Sequence, residues 1–431
     1  LATVLVFIGY WFSLADDVGL GFSGIYSVGA NYMGVPHPPG YPVWTIYGWL
    51  FTKLLPFSNI AWRLAISSAV AGALTCGLIA LMVSRSSKAL LEGFKTLPAL
   101  PSSDERLLRM VAGIIAGMTF GFDGAFWQNT VIVDVWPLSI LLFTSTICFL
   151  LNWANQPTHK TSLVAACFVF GLAITNSQAL IPAGLGLFFF VIVIDRNTGR
   201  DAALAASSLW GIWWLESYLQ LLPVRPAVCR ELASYEIKLI LRGITFLTIA
   251  IYLGLALHSR RWLPSWKMGL ATLAFLAGLS FYLLVPVFSA SNPPINWGYP
   301  RTLEGFMHVL NREQYEHIHP VMDATIYLQQ LLQFCQSTLK NFGLFPSLIA
   351  LVPFYFLSRG QLSFQRQSIG LLLLFVSFSL LLVALLNAPP ERQGTEIVAA
   401  YFTATRPILA LCTGYGLVLL GVFLSRPKNP C

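Results

Sequence analysis

Apolar residues fall in long runs separated by short charged or Pro/Gly-containing connections. The runs are Leu1–Leu14, Ala61–Ser84, a run from Met110 that breaks at Gly121-Phe122-Asp123, Trp136–Trp153, Ser162–Thr175, Ala179–Ile194, Ala202–Leu222, Leu239–Leu257, Met268–Ser289, Phe342–Ser358, Ile369–Asn387 and Pro407–Ser425. A span needs roughly 20 predominantly apolar residues, so the pattern predicts an all-α, polytopic transmembrane bundle of about twelve spans. Leu1–Leu14 is too short to cross alone and reads as the end of a first span. Ala202–Leu222 carries Glu216 among Trp210, Trp213, Trp214 and Tyr218 and suits either a span or an interfacial helix.

Charge orients the bundle. Arg85, Lys88, Lys95, Arg106 and Arg109 follow the second run, and short segments with Arg196 and Arg200, with Arg260, Arg261 and Lys267, and with Arg359 and Arg366 recur after it. Basic residues collect on the cytoplasmic side, which places 15–60, the loop around Trp127 and the long stretch 290–341 on the outer face. The chain then divides into a core over 1–289, a large outer loop over 290–341 and C-terminal spans over 342–431. Helices expected over Thr302–Tyr315 and Ala324–Lys340 carry apolar faces suited to the membrane surface or the bundle.

Composition narrows the classes. Of 431 residues, 56% are hydrophobic and 10% charged, too apolar for a soluble core. The net charge of +8 comes without any basic run longer than Arg260-Arg261, so it reflects membrane topology and not nucleic acid. The seven cysteines have no metal-like spacing, and no Walker loop, HExxH, GxSxG or dinucleotide fingerprint occurs. Water-soluble nucleotide chemistry is unsupported and a lipid donor fits better; no cofactor is expected, and a divalent metal stays open although the sequence shows no ligand cluster for one.

Candidate chemistry concentrates in Leu14–Pro42. Asp16 and Asp17 leave the first run together, and one of them is positioned either to serve as a general base or simply to end the helix. His37-Pro38-Pro39-Gly40-Tyr41-Pro42 has restricted backbone, which either presents His37 and Tyr41 to a phosphate or hydroxyl or caps the helix Val43–Leu55. Trp127, Asp123 and Asp134 lie in the second outer loop, and Asn176 and Gln178 in a hairpin between two short runs. In the large loop Asn296, Trp297, Arg301, Asn311 and Arg312 offer donors, an aromatic face for a sugar and an anion clamp.

Three patches carry a resemblance: Gly34-Val35-Pro36-His37-Pro38-Pro39-Gly40-Tyr41-Pro42; Phe126-Trp127 through Val133-Asp134-Val135; and Pro293-Pro294-Ile295-Asn296-Trp297-Gly298 with Arg301-Thr302-Leu303-Glu304-Gly305-Phe306. The chain resembles a family long labelled a domain of unknown function and related to protein O-mannosyltransferases. The resemblance implies a C-type glycosyltransferase fold, a polyprenyl-phosphate sugar donor, a protein or glycan hydroxyl acceptor, and an acid in the first outer loop. It also implies a multi-pass protein of a bacterial inner membrane, or of the endoplasmic reticulum, active on the outer or lumenal face. Phe22 and Ile25 stand where the family's acids would be, Asp134 where it often has Glu, and Ser177 where it often has His. A flippase or transporter of lipid-linked substrates and a catalytically degenerate family member are the alternatives.

Overall fold

A computed structural model describes residues 1–19, 21–92, 94, 100–219, 235–312, 321, 323–387 and 398–425. Among these residues the protein is helical, and its one β-type feature is an isolated bridge between Val35 and Asn296. Lys95 and the ends of the expected elements at Leu222 and Tyr315 lie outside the described residues.

The chain opens with α1 (Ala2–Trp11), then α2 (Ser23–Asn31), α3 (Pro42–Leu54) and the long α4 (Ile60–Glu92). α5 (Ser102–Gly121) and α6 (Gly124–Thr130) meet at a 71° bend, where the expected break at Gly121-Phe122-Asp123 falls. Asp123 makes the bend by accepting a hydrogen bond from Phe126 N at 3.0 Å, which caps α6. α7 (Trp136–Asn155), α8 (Thr161–Asn176), α9 (Ala183–Ile194), α10 (Arg196–Leu219), α11 (Tyr235–Ser259), α12 (Trp266–Leu279) and α13 (Leu284–Ala290) follow.

After the short α14 (Leu303–Leu310), α15 (Ala324–Asn341) takes the place expected for an amphipathic helix. Its Phe334 is buried, with its ring 5.1 Å from that of Phe402, while Ile326, Leu328 and Leu332 face outward. The expected continuous span Phe342–Ser358 is instead α16 (Leu344–Ile349) and α17 (Val352–Tyr355). Gly343 at φ 100° turns the chain, and Pro346 and Pro353 fall in the first turns of two short helices and lack an amide donor, so one straight helix cannot form. α18 (Leu362–Leu386) and α19 (Arg406–Leu424) complete the bundle.

Among the described residues six helices are long and apolar enough to cross a membrane, or eight if each bent pair is one span; Ala2–Trp11, Thr161–Asn176 and Gln178–Ile194 are shorter apolar helices. The expected count of about twelve therefore includes helices too short to cross by themselves. α4 packs on α1, α5 and α7, α8 on α7 and α12, and α19 on α4 and α5, so both ends of the sequence share one apolar core. At the α8–α12 crossing, a Cβ on Gly171 would stand 2.4 Å from Phe275 O and one on Gly278 2.3 Å from Phe168 O. Only glycine lets these backbones touch.

Candidate functional site

The loop between α2 and α3 is fixed by its backbone. Val35 N donates to Ile295 O at 3.0 Å, and Trp297 N donates to Val35 O at 3.0 Å. This short parallel pairing joins the HPPGYP loop to the PPINWG loop, more than 250 positions apart in sequence. A Cβ on Gly34 would lie 2.4 Å from Ile295 O, so the approach requires glycine there. Pro42 then begins α3 at a position that needs no amide donor.

His37 sits inside this junction, 4% exposed. Its Nδ1 lies 2.8 Å from Pro38 O; a carbonyl only accepts, so Nδ1 carries the proton and Nε2 is the acceptor nitrogen. Its ring meets Phe22 edge-on at 4.4 Å, Trp297 at 5.8 Å and Tyr41 in a stacked arrangement at 6.2 Å. Burial, reinforced by the Arg312 charge, lowers the imidazole to about 4 despite the opposing Pro38 bond, so His37 is neutral at physiological pH. Phe22, at a position where the resemblance implies an acid, thus supplies apolar cover to the histidine.

Asp134 is held from several helices. Its carbonyl accepts from Trp44 Nε1 at 3.1 Å and Ser68 Oγ at 3.2 Å, and its Oδ1 accepts from Trp136 N at 2.7 Å. The carboxyl is partly buried, and desolvation raises it to about 6 against the lowering effect of the Trp136 and Val135 amides. Its charge reaches the buried phenols of Tyr26 and Tyr41, whose rings meet at 5.7 Å; burial is the first cause that raises both phenols. Arg312 acts in the opposite direction on Tyr41, and Tyr401 lies close to both phenols. Tyr401 is anchored on Trp136 at 5.1 Å between ring centres, and Trp136 Nε1 donates to Thr403 Oγ1 at 2.7 Å.

The structure therefore gathers His37, Tyr41, Trp297, Asp134 and Arg312 at one end of the bundle. It adds Tyr26 and Tyr401, which carry no distinguishing sequence pattern in a chain so rich in aromatics. The other candidates are engaged elsewhere. Asp16 and Asp17 are exposed; Asp17 Oδ1 accepts from Val18 N at 2.7 Å, and neither carboxylate bonds to His37 or Asp134. Trp127 donates to Ser13 Oγ at 2.8 Å, packing on the α1 end. Asn176 is fully buried and donates to Val135 O at 3.2 Å and Ser139 Oγ at 2.8 Å, so it ties α8 to the start of α7. Asn296 donates to Ser289 O at 3.1 Å, and exposed Arg301 donates to Asn292 Oδ1 at 2.8 Å. Gln178 donates to Leu310 O at 2.8 Å, which secures α14 two residues before Arg312.

Residues 23–199, which hold His37, Tyr41 and Asp134, match the family model described as the protein O-mannosyl-transferase TMEM260 N-terminal domain. Over this segment the chain is similar to a protein O-mannosyltransferase-related family. The chain is 26% identical to protein O-mannosyl-transferase TMEM260 of Mus musculus over 300 residues, 68% of this chain and 31% of that protein. It is 24% identical to protein O-mannosyl-transferase tmem260 of Dictyostelium discoideum over 446 aligned positions, 98% of this chain and 45% of that protein. The chain thus spans less than half the length of these relatives. Within the O-mannosyltransferase-related segment lie α2 to α9, whereas Trp297, Arg312 and Tyr401 come from outside it.

Proposed function

We propose that the chain is a membrane glycosyltransferase that moves a sugar, mannose in the first instance, from a polyprenyl phosphate to a protein hydroxyl on the outer or lumenal face. The observation that carries this reading is the convergence of the Asp134 carboxylate, the Trp297 ring and the Arg312 guanidinium on the stacked pair His37 and Tyr41, with His37, Tyr41 and Asp134 inside the segment similar to protein O-mannosyl-transferases. The names of both relatives support the reaction class.

In this reading the acceptor oxygen bonds to the anomeric carbon as its proton passes to a carboxylate. The bond from that carbon to the phosphate oxygen breaks, and its electron pair leaves with the lipid phosphate. Arg312 matches the phosphate in geometry and charge, Trp297 offers a face to the sugar ring, and neutral His37 offers Nε2 to a sugar hydroxyl. Asp134 suits the proton-accepting role best, because its backbone is pinned by Trp44 and Ser68 and its carboxyl ionises near working pH. Asp16 and Asp17 are the rival carboxylates.

The test uses the purified chain, labelled polyprenyl-phosphate mannose and a Ser/Thr peptide. Labelled peptide from wild type, lost in Asp134→Asn and retained in Asp16→Asn/Asp17→Asn, is the expected result. Loss only in the paired variant moves the base to the first loop; no peptide product from wild type overturns the transferase reading.

A further inference from the structure

At the end of α8 away from His37, helices α7 to α10 and α12 enclose an apolar groove of about 240 Å3. Small residues open it: Ala166 on α8, Gly184 on α9, Ala205 on α10 and Ala271 on α12. The hydroxyls on its wall are spent on their own helices, Thr146 on Leu142 O and Thr272 on Met268 O, each at 3.0 Å. The groove offers hydrocarbon contact and no polar recognition, so a hydrocarbon chain is its complement.

Where Ala202 and Met268 line this groove it borders a charged collar with surplus cations. Arg200 and Asp201 form a buried pair, and Arg200 Nη1 also donates to Ser259 Oγ and Arg261 O, each at 3.1 Å. Asp201 Oδ2 accepts from Ser265 N at 2.9 Å, clamping residues 260–265 over the start of α12. Asp195 is taken by Lys160 at 3.3 Å. Both acids of the collar are thereby committed. Arg196, Arg260, Arg261 and Lys267 are exposed and pair with no acid among the described residues. Lys267 immediately precedes Met268, which lines the groove, and Arg200 and Asp201 immediately precede Ala202, which also lines it.

We propose that this groove binds an anionic membrane lipid, one acyl chain lying along Ala166, Gly184 and Ala205 and the headgroup phosphate resting on Arg196, Arg261 and Lys267. A cationic rim above an apolar slot matches a phosphate joined to hydrocarbon, and the excess of unpaired guanidinium and ammonium groups selects an anionic over a zwitterionic headgroup. The site is independent of the sugar-transfer reading, since it lies at the opposite end of α8.

The full chain is reconstituted in nanodiscs containing phosphatidylcholine and phosphatidylglycerol, released into detergent, and weighed intact by native mass spectrometry. Phosphatidylglycerol is expected to be retained over phosphatidylcholine, and Arg261→Gln/Lys267→Gln should weaken that preference about 5-fold per cation removed. Lys267→Arg should keep it. Ala166→Phe, or Ala205→Leu on the facing helix, should reduce retention of phosphatidylglycerol by filling the slot. Equal retention of the two lipids by wild type, an unchanged preference in the double Gln variant, or full retention in both filled variants would overturn the proposal.

Discussion

The carboxylate of Asp123 and the guanidinium of Arg406 form an ion pair in which neither side chain is exposed to solvent. Arg406 also donates to Ser337 Oγ at 3.1 Å, so the bend between α5 and α6, the start of α19 and the end of α15 meet at a single charge cluster. Losing one partner strands a charge inside the bundle. Asp123→Asn or Arg406→Met should each cost about 3–5 kcal/mol, read as an earlier thermal transition of the detergent-purified protein. The pair Asp123→Leu/Arg406→Met should recover most of that loss, short of the roughly 1 kcal/mol contributed by the cap on Phe126.

Acid titration should separate Asp134 from His37. With Asp134 raised to about 6, transfer activity should fall as pH drops through 6, and the inflection should persist in His37→Gln even at lower overall rate. Stability moves the other way. An unfolded carboxyl ionises near 3.8, so the folded state loses stability as pH rises from 3.8 to 6, and Asp134→Asn should melt higher than wild type at pH 7. His37 has the opposite sign: its folded value near 4 lies below the ordinary 6.5, so its contribution is lost as pH falls between them. Melting curves of both variants from pH 4 to 8 check the two directions.

Gly34 and Gly254 should respond oppositely to the same change. Gly34→Ala forces a methyl against Ile295 O and should cost about 1–3 kcal/mol and part the two loops, lowering transfer activity as well. Gly254→Ala lies in α11 with nothing within 4 Å of the added carbon and should stabilise by up to about 1 kcal/mol. Thermal melts of the two variants side by side provide the comparison.

Trp297 is 37% exposed beside His37, and removing its face should weaken sugar binding without unfolding the loop, whose register is held by backbone. Trp297→Ala should raise KM for the lipid-linked sugar about 5- to 10-fold with little change in melting temperature. Steady-state assays at varied donor concentration measure it.

Helices such as α4 and α18 were legible because uninterrupted apolar runs leave a membrane helix few alternatives. The kink at Asp123 was legible from Gly121 and the acid after it. Pro346 and Pro353 also stand in the open, but the high apolar content of Phe342–Ser358 masks their effect until Gly343 is seen at positive φ. Arg406 reads as the boundary residue before a span; its partner lies 283 positions away, and no local pattern reports that distance. Within the site, His37 and Tyr41 announce themselves through constrained backbone, and Asp134 through a carboxylate beside a run. Tyr26 and Tyr401 join them only because α2 and the residues before α19 reach the same end of the bundle. The exposed pair Asp16 and Asp17 shows the converse, since adjacent acids in sequence carry no information about burial.

The bridge between Val35 and Asn296 uses main-chain atoms alone, and this governs how the protein can drift in sequence. Side chains at Val35 and Ile295 are free to exchange for others of similar bulk without loosening the junction, because neither supplies its hydrogen bonds. Gly34 has no such freedom, so a lineage could replace much of the surrounding surface while this one small residue keeps the two loops in register.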